Sequence, residues 1–193
     1  MNKLPLFLAT VFFTLTTSIA EAREIESGSI MFLGDTSLNS SSIDTKLNGT
    51  TLSADTTVLN LTGGYFFADN TAIGLMIANE DTSYSDGTND SINMIGPVIA
   101  YNISLNTDFN LVFIAGLFNI SGDEDDGTGA SVNFDGDGTL LMASLGYFIN
   151  DNVAVNFSIR RTSSDVDFSV TGFPSVSADL DETSTNLGLS VFF

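Results

Sequence analysis

The six residues Asn133 to Gly138 read NFDGDG, with oxygen-bearing side chains at alternate positions and a glycine sixth. That is how a calcium-binding loop begins. Asn133, Asp135 and Asp137 would be the ligands. The match then fails, because the position that should carry a bidentate glutamate is Ser144. The three remain weak calcium candidates, and no metal or other cofactor is expected. Other chemistry is removed by composition. The chain has no Cys and no His, so it lacks thiol nucleophiles, thiolate metal ligands, disulfides and the commonest general base. Carboxylates are plentiful, 24 Asp and Glu against 5 Lys and Arg. They sit in Gly-, Ser- and Thr-rich stretches, where solvation leaves nothing to raise one pKa for general-acid work. An enzyme is not expected. A formal charge of −19 also repels nucleic acid.

That charge coexists with 43% apolar residues, an odd pairing for an acidic soluble or disordered chain. The start of the chain separates the two properties. Lys3 precedes the apolar run Leu4–Phe13, and Ala20-Glu21-Ala22 fits a small-x-small cleavage site. Residues 1–22 are therefore expected to be a signal peptide, with residues 23–193 forming one exported domain. After it, hydrophobicity alternates with period two rather than following a helical stripe. Val153, Val155, Phe157 and Ile159 share one face, and Asn156, Ser158 and Arg160 lie on the other. Ile73, Leu75 and Ile77 alternate likewise with small residues and Glu80. A soluble sandwich buries its large apolar face and charges its outside. Here one row is bulky and apolar while the other is small and polar, which suits lipid outside and a narrow barrel inside.

Eight segments carry the pattern: Ile25–Gly34, Thr56–Phe67, Thr71–Tyr84, Ser91–Ser104, Asn110–Ser121, Thr139–Ile149, Asn152–Ser164 and Glu182–Phe193. Most reach the ~9–11 residues that cross a membrane at a tilt. The first and fifth are apolar on both faces, so their orientation stays open. Tight connections at Ala68–Asn70, Leu105–Phe109 and Asn150–Asn152 alternate with four long ones. Eighteen acidic residues fall in those four long connections and their flanks. The expectation is an all-β, eight-stranded antiparallel up-and-down transmembrane barrel, with both termini and the tight turns on the periplasmic side. Inside such a barrel a lone charge is costly. Arg160 and Glu80, at similar heights on opposite strands, are expected to pair across the lumen. Arg161 faces outward and should snorkel toward headgroups.

The stretches GYFFADNTAIGL and GYFINDNVAVNF, together with GPVIAYNI and the terminal LGLSVFF, carry a family likeness. With the signal sequence, they make the chain resemble the small eight-stranded outer-membrane barrels. That group contains the OmpA membrane domain and the opacity and attachment-invasion proteins. The resemblance implies a monomer in the outer membrane of a Gram-negative bacterium, among lipid and lipopolysaccharide. It also implies that Leu187, Leu189, Val191 and Phe193 form the signal read by the outer-membrane insertion machinery. Function is expected to be structural or surface-interacting, through acidic external loops and an extracellular partner. The alternative is a narrow, porin-like channel or pocket for small hydrophobic solutes. An apolar inner lining under the loops would favour that alternative; a continuous Asn and Ser network would oppose it.

Overall fold

Period-two alternation yields strands joined by turns. The computed structural model describes residues 24–37, 45–47, 50–52, 54–84, 87–125, 131–170 and 175–193. The expected signal peptide, residues 1–22, lies outside them. The strands are β1 (Ile30–Ser37), β2 (Thr45–Leu47), β3 (Thr50–Leu52), β4 (Ala54–Ala68), β5 (Thr71–Tyr84), β6 (Asn89–Ser104), β7 (Phe109–Asp125), β8 (Ser131–Phe148), β9 (Val153–Val170) and β10 (Val176–Phe192). Eight of them close a barrel in the order β1-β10-β9-β8-β7-β6-β5-β4, with antiparallel neighbours throughout. Closure leaves the barrel no free sheet edge along the band, which a membrane requires of a sheet. The small β2–β3 hairpin, unanticipated from sequence, lies in the connection between β1 and β4.

Asx chemistry makes the tight turns. Asn106 Oδ1 accepts from the N–H groups of Asp108 and Phe109, both at 2.8 Å. Asn150 Oδ1 accepts from those of Asn152 and Val153, both at 2.9 Å. Asn70 takes a left-handed φ of 61°, which Asn tolerates better than most side chains. The start of β1 differs from expectation. Gly28, at φ 97°, turns the chain so that Ile25 leaves the sheet and plugs the lumen.

Strand lengths are uneven. β1 has 8 residues, whereas β7 to β10 have 17 or 18. A tilted span uses ~9–11, so the longer strands run on for roughly 20 Å beyond the membrane. This corrects the placement of the acidic loops. Asp123, Asp135, Asp137, Asp165, Asp167, Asp179 and Asp181 are strand residues. Asp and Gly have poor β propensity, but ladder partners override it, on both sides along β8 and β9 and from β9 alone at Asp179, Asp181 and Glu182.

The outward apolar residues form one band. At its turn end stand Tyr65, Tyr101, Tyr147 and Phe109, an aromatic girdle in which the Phe109 and Tyr147 rings lie 5.1 Å apart. At its other edge the outward row turns polar through Asn79, Asn93, Asn119, Thr139 and Arg161. The two ambiguous strands are resolved as well. Met31, Leu33, Val112 and Ile114 point inward, and Ile30, Phe32, Phe113 and Leu117 point outward.

The lumen is filled and divided lengthwise. Met76, Met94, Val98, Val112, Ile114 and Met142 make its β5–β8 side apolar. Asn60, Thr62, Asn156, Ser158, Asn186 and Ser190 make the β4, β9 and β10 side polar. Phe66, Phe148, Phe192 and Ile25 cap the turn end. Phe118, Ile120, Phe134 and Val166, with Phe168 against them, close the long-strand end.

Candidate functional site

Two places hold charge in a defined geometry: the polar half of the lumen and the outer face of the long strands. In the lumen, Arg160 lies on the inward row of β9 and is 3% exposed. Its guanidinium Nη1 donates to Asn60 Oδ1 on β4, and Asn60 Nδ2 donates to Asp35 Oδ1 on β1 at 2.7 Å. Asp35 and Asn60 are both buried. Arg160 therefore reaches a carboxylate through an amide relay rather than by direct contact. Below it, Asn156 Nδ2 donates to Ser190 Oγ at 3.0 Å, and near the turns Asn110, Asn102 and Asn70 form a chain of side-chain bonds.

Glu80 lies within reach of the Arg160 charge but does not contact it. It is half-buried on β5, beside Val58 and Ile92, two residues beyond the Ala78 that faces Asn60. No ion pair joins it to Arg160. Counting residues from a turn measures distance along a strand, but barrel strands tilt and stagger, so equal counts do not mean equal heights. Asp35 was expected in the flank of the first long connection, because the first strand was expected to end at Gly34, and it lies inside β1 instead. The signal was present: Met31, Leu33 and Asp35 share one parity, as do Asn60 and Thr62 between outward leucines.

The calcium candidates also fall elsewhere than expected. Asn133, Asp135 and Asp137 project outward and exposed from extended β8, where alternate side chains stand about 6.6 Å apart and do not wrap an ion. Among the described residues no group of three or more His, Cys, Asp or Glu side chains has metal-holding geometry. The aspartates instead align across strands. Asp137, Asp165 and Asp179 form one cross-strand row over β8, β9 and β10, and Asp135 faces Asp167 in the next.

This crowding shifts titration. Asp165 is held above its ordinary value, first by sharing a hydrogen bond with the Asp179 carboxyl, then by the charges of Asp179 and Asp137. Asp181 is held below its ordinary value by the donating Ser163 hydroxyl, then by the Arg161 charge. Arg161 faces outward and forms an ion pair with Asp181 at 3.7 Å. Both side chains are well exposed, so the pair adds little to stability.

On β10, Leu187 and Leu189 face outward and Val191 is half-exposed, and Phe193, just past the strand, faces outward too. Phe193 also closes the barrel. Its N–H donates to the Ile30 carbonyl and its carbonyl accepts from the Ile30 N–H, each at 2.9 Å. Its ring meets Phe32 edge-on at 6.3 Å.

The family described as "Outer membrane protein beta-barrel domain" matches residues 7–193. No curated protein matches the chain. Among solved structures, the outer membrane protein OprG from Pseudomonas aeruginosa is similar, with a TM-score of 0.60 at 20% identity. The alignment covers 87% of this chain and 97% of that one. Neisserial surface protein A aligns with a TM-score of 0.61 at 12% identity, over 86% of this chain and 98% of its own. The N-terminal barrel domain of Pseudomonas aeruginosa OprF gives 0.51 at 12% identity, covering 88% and 100%. At such identities the likeness is one of fold alone.

Proposed function

The chain belongs to the outer membrane β-barrel domain family, and from that premise we propose that it is a non-enzymatic surface-interaction protein. In this reading the tight turns and both termini face the periplasm and the long strands face outward from the cell. The working surface is the acidic outer face of β8, β9 and β10, and its partner is cationic. The observation that carries this is the alignment of Asp137, Asp165 and Asp179 in one cross-strand row. Like charges directly opposite one another destabilise a sheet. A solubilising surface gains nothing from placing them in register, whereas a cationic partner turns the repulsion into binding. The absence of His and Cys and the solvent exposure of these carboxylates support a non-catalytic role. Calcium should raise the thermal midpoint more than sodium does at matched ionic strength. Asp137→Asn with Asp165→Asn should abolish the difference. Equal shifts from the two salts would leave only screening and end the proposal.

A second reading has its own observation. The lumen beneath the long-strand end is lined by Phe118, Ile120, Phe134, Leu140 and Val166, the apolar lining that a pocket for small hydrophobic solutes needs. Against it, these side chains already pack together. Phe134 and Phe168, for example, have ring centroids 5.8 Å apart. Saturable quenching of a hydrophobic fluorophore, lost on Phe134→Asp, would bring this reading forward.

A further inference from the structure

The lipid-facing wall is not uniformly convex. On β7 and β8 the outward row contains Ala115 and Ala143, recessed between the exposed side chains of Phe113, Leu141 and Ile159. In register, Ala115 lies beside Leu141 and Ala143 beside both Phe113 and Ile159, so the two alanines are diagonal neighbours. Together they floor a groove of about 640 Å³, and Arg161 lines it as well. Arg161 faces Leu141 in the ladder and stands at the edge where the apolar band gives way to Asn119, Thr139 and the aspartates. Among the described side chains it is the one cation that faces outward; Arg160 is buried in the lumen.

We propose that this groove is a binding site for one phosphorylated membrane lipid of the leaflet at the long-strand end. An acyl chain lies over Ala115 and Ala143, and the headgroup phosphate is held by Arg161. The argument is charge complementarity placed at the correct depth. A bilayer fills every lipid-facing recess with chains, but a chain alone gives no selectivity, since all lipid tails are equally apolar. A guanidinium at the interfacial end supplies it, because its planar fork matches phosphate geometry bidentately. The acidic rows beyond Arg161 repel an anion that approaches through water, so the groove is approached from within the leaflet. The exposed 3.7 Å contact with Asp181 is weak enough to yield to a phosphate. A second recess, about 500 Å³, lined by Leu59, Val155, Leu187 and Leu189, has no cation at its rim and serves as the internal comparison. Arg161 also borders the recess of Asp137, Asp165, Asp179 and Asp181, so the groove adjoins the acidic surface, but the two are tested by different ligands.

The test uses the full mature chain in phosphatidylcholine nanodiscs doped with diphosphoryl lipid A, with retained lipid counted by native mass spectrometry after extraction. The wild type should retain one lipid A. Arg161→Gln and Ala143→Leu should each lower retention about tenfold, the loss of one charge-assisted hydrogen bond or of the chain's seat. Asp181→Asn should raise it, and Leu59→Ala in the cation-free recess should leave it unchanged. Heat-modifiable gel mobility checks that each variant is folded. Undiminished retention by Arg161→Gln, or equal retention of dephosphorylated lipid, overturns the headgroup contact. Undiminished retention by folded Ala143→Leu overturns the groove. Displacement of the lipid by millimolar inorganic phosphate would show an anion site without a lipid, and would also overturn the proposal.

Discussion

Arg160 shows how a narrow barrel accommodates a charge. The guanidinium is buried, and the Asn60 amide links it to the buried Asp35. Removing the cation leaves a carboxylate stranded in the lumen, which is strongly destabilising. Arg160→Met is expected to lose about 3 kcal/mol of unfolding free energy in detergent. Adding Asp35→Asn should restore much of that loss, and adding Glu80→Gln should not. A cycle in which Glu80 rather than Asp35 couples to Arg160 would contradict the relay. On the outer face the sign of the pH response is set by two shifted aspartates. Asp165 is raised, so the folded state binds its proton more readily, and stability grows as pH falls through the folded value. Asp181 is lowered, so its contribution is present above its unfolded value and is lost as pH falls through the depressed one. Mild acidification should therefore raise hydrogen-exchange protection where β9 and β10 pair outside the membrane, and stronger acidification should lower it. Protection that only declines on acidification would refute the shared proton between Asp165 and Asp179.

Among the strands, β1 and β10 bear the closing seam, which is short because β1 has only 8 residues. Phe193 joins the two ends by a reciprocal pair of backbone bonds and presents its ring to Phe32. Two roles are thereby separable. Deleting Phe193 removes both the closing bonds and the ring, whereas Phe193→Ala keeps the backbone and removes only the ring. If the ring serves recognition during assembly, both variants lower surface yield in cells, while Phe193→Ala still refolds in detergent with near-normal yield. Normal surface yield for both would separate the C-terminal aromatic from assembly. The ladder between β6 and β7 is open at Gly96 and Pro97, opposite Leu117 and Phe118. Pro97 has no N–H to give, and a Cβ on Gly96 would sit 1.8 Å from the Leu117 carbonyl oxygen. The glycine is required there by the approach of β7's backbone.

At the scale of the whole barrel, the lumen is closed at both ends by aromatic side chains, with Phe148 and Phe192 5.5 Å apart at the turn end. An eight-stranded barrel is just wide enough for its own side chains. The refolded protein is expected to give no stable single-channel steps in planar bilayers. Reproducible conductance would mean that the plugs at the two ends open, and would favour transport over surface interaction. The asymmetric projection of β7 to β10 gathers Asp123, Asp135, Asp137, Asp165, Asp167, Asp179, Asp181 and Glu182 on one side of the outer rim. A cationic partner is therefore expected to approach from that side rather than along the barrel axis.

Strand number, tight turns and the division between inward and outward rows were legible in the sequence because each is a local property. Period-two alternation assigns faces within a strand, and Asn or Asp at a tight turn needs only its own backbone. The outward set of Leu187, Leu189 and Phe193 and the inward position of Arg160 followed from parity alone. Where those faces meet was not local. Shear decides heights across the lumen, so Arg160 meets Asn60 and Asp35 on β4 and β1 and not Glu80 on β5. Cross-strand register turned scattered Asp and Gly from expected loops into paired strand with carboxylates in rows. The groove beside Arg161 likewise exists only where two alanines on different strands become neighbours. Alternation is encoded residue by residue; register and stagger are fixed only when the sheet closes on itself.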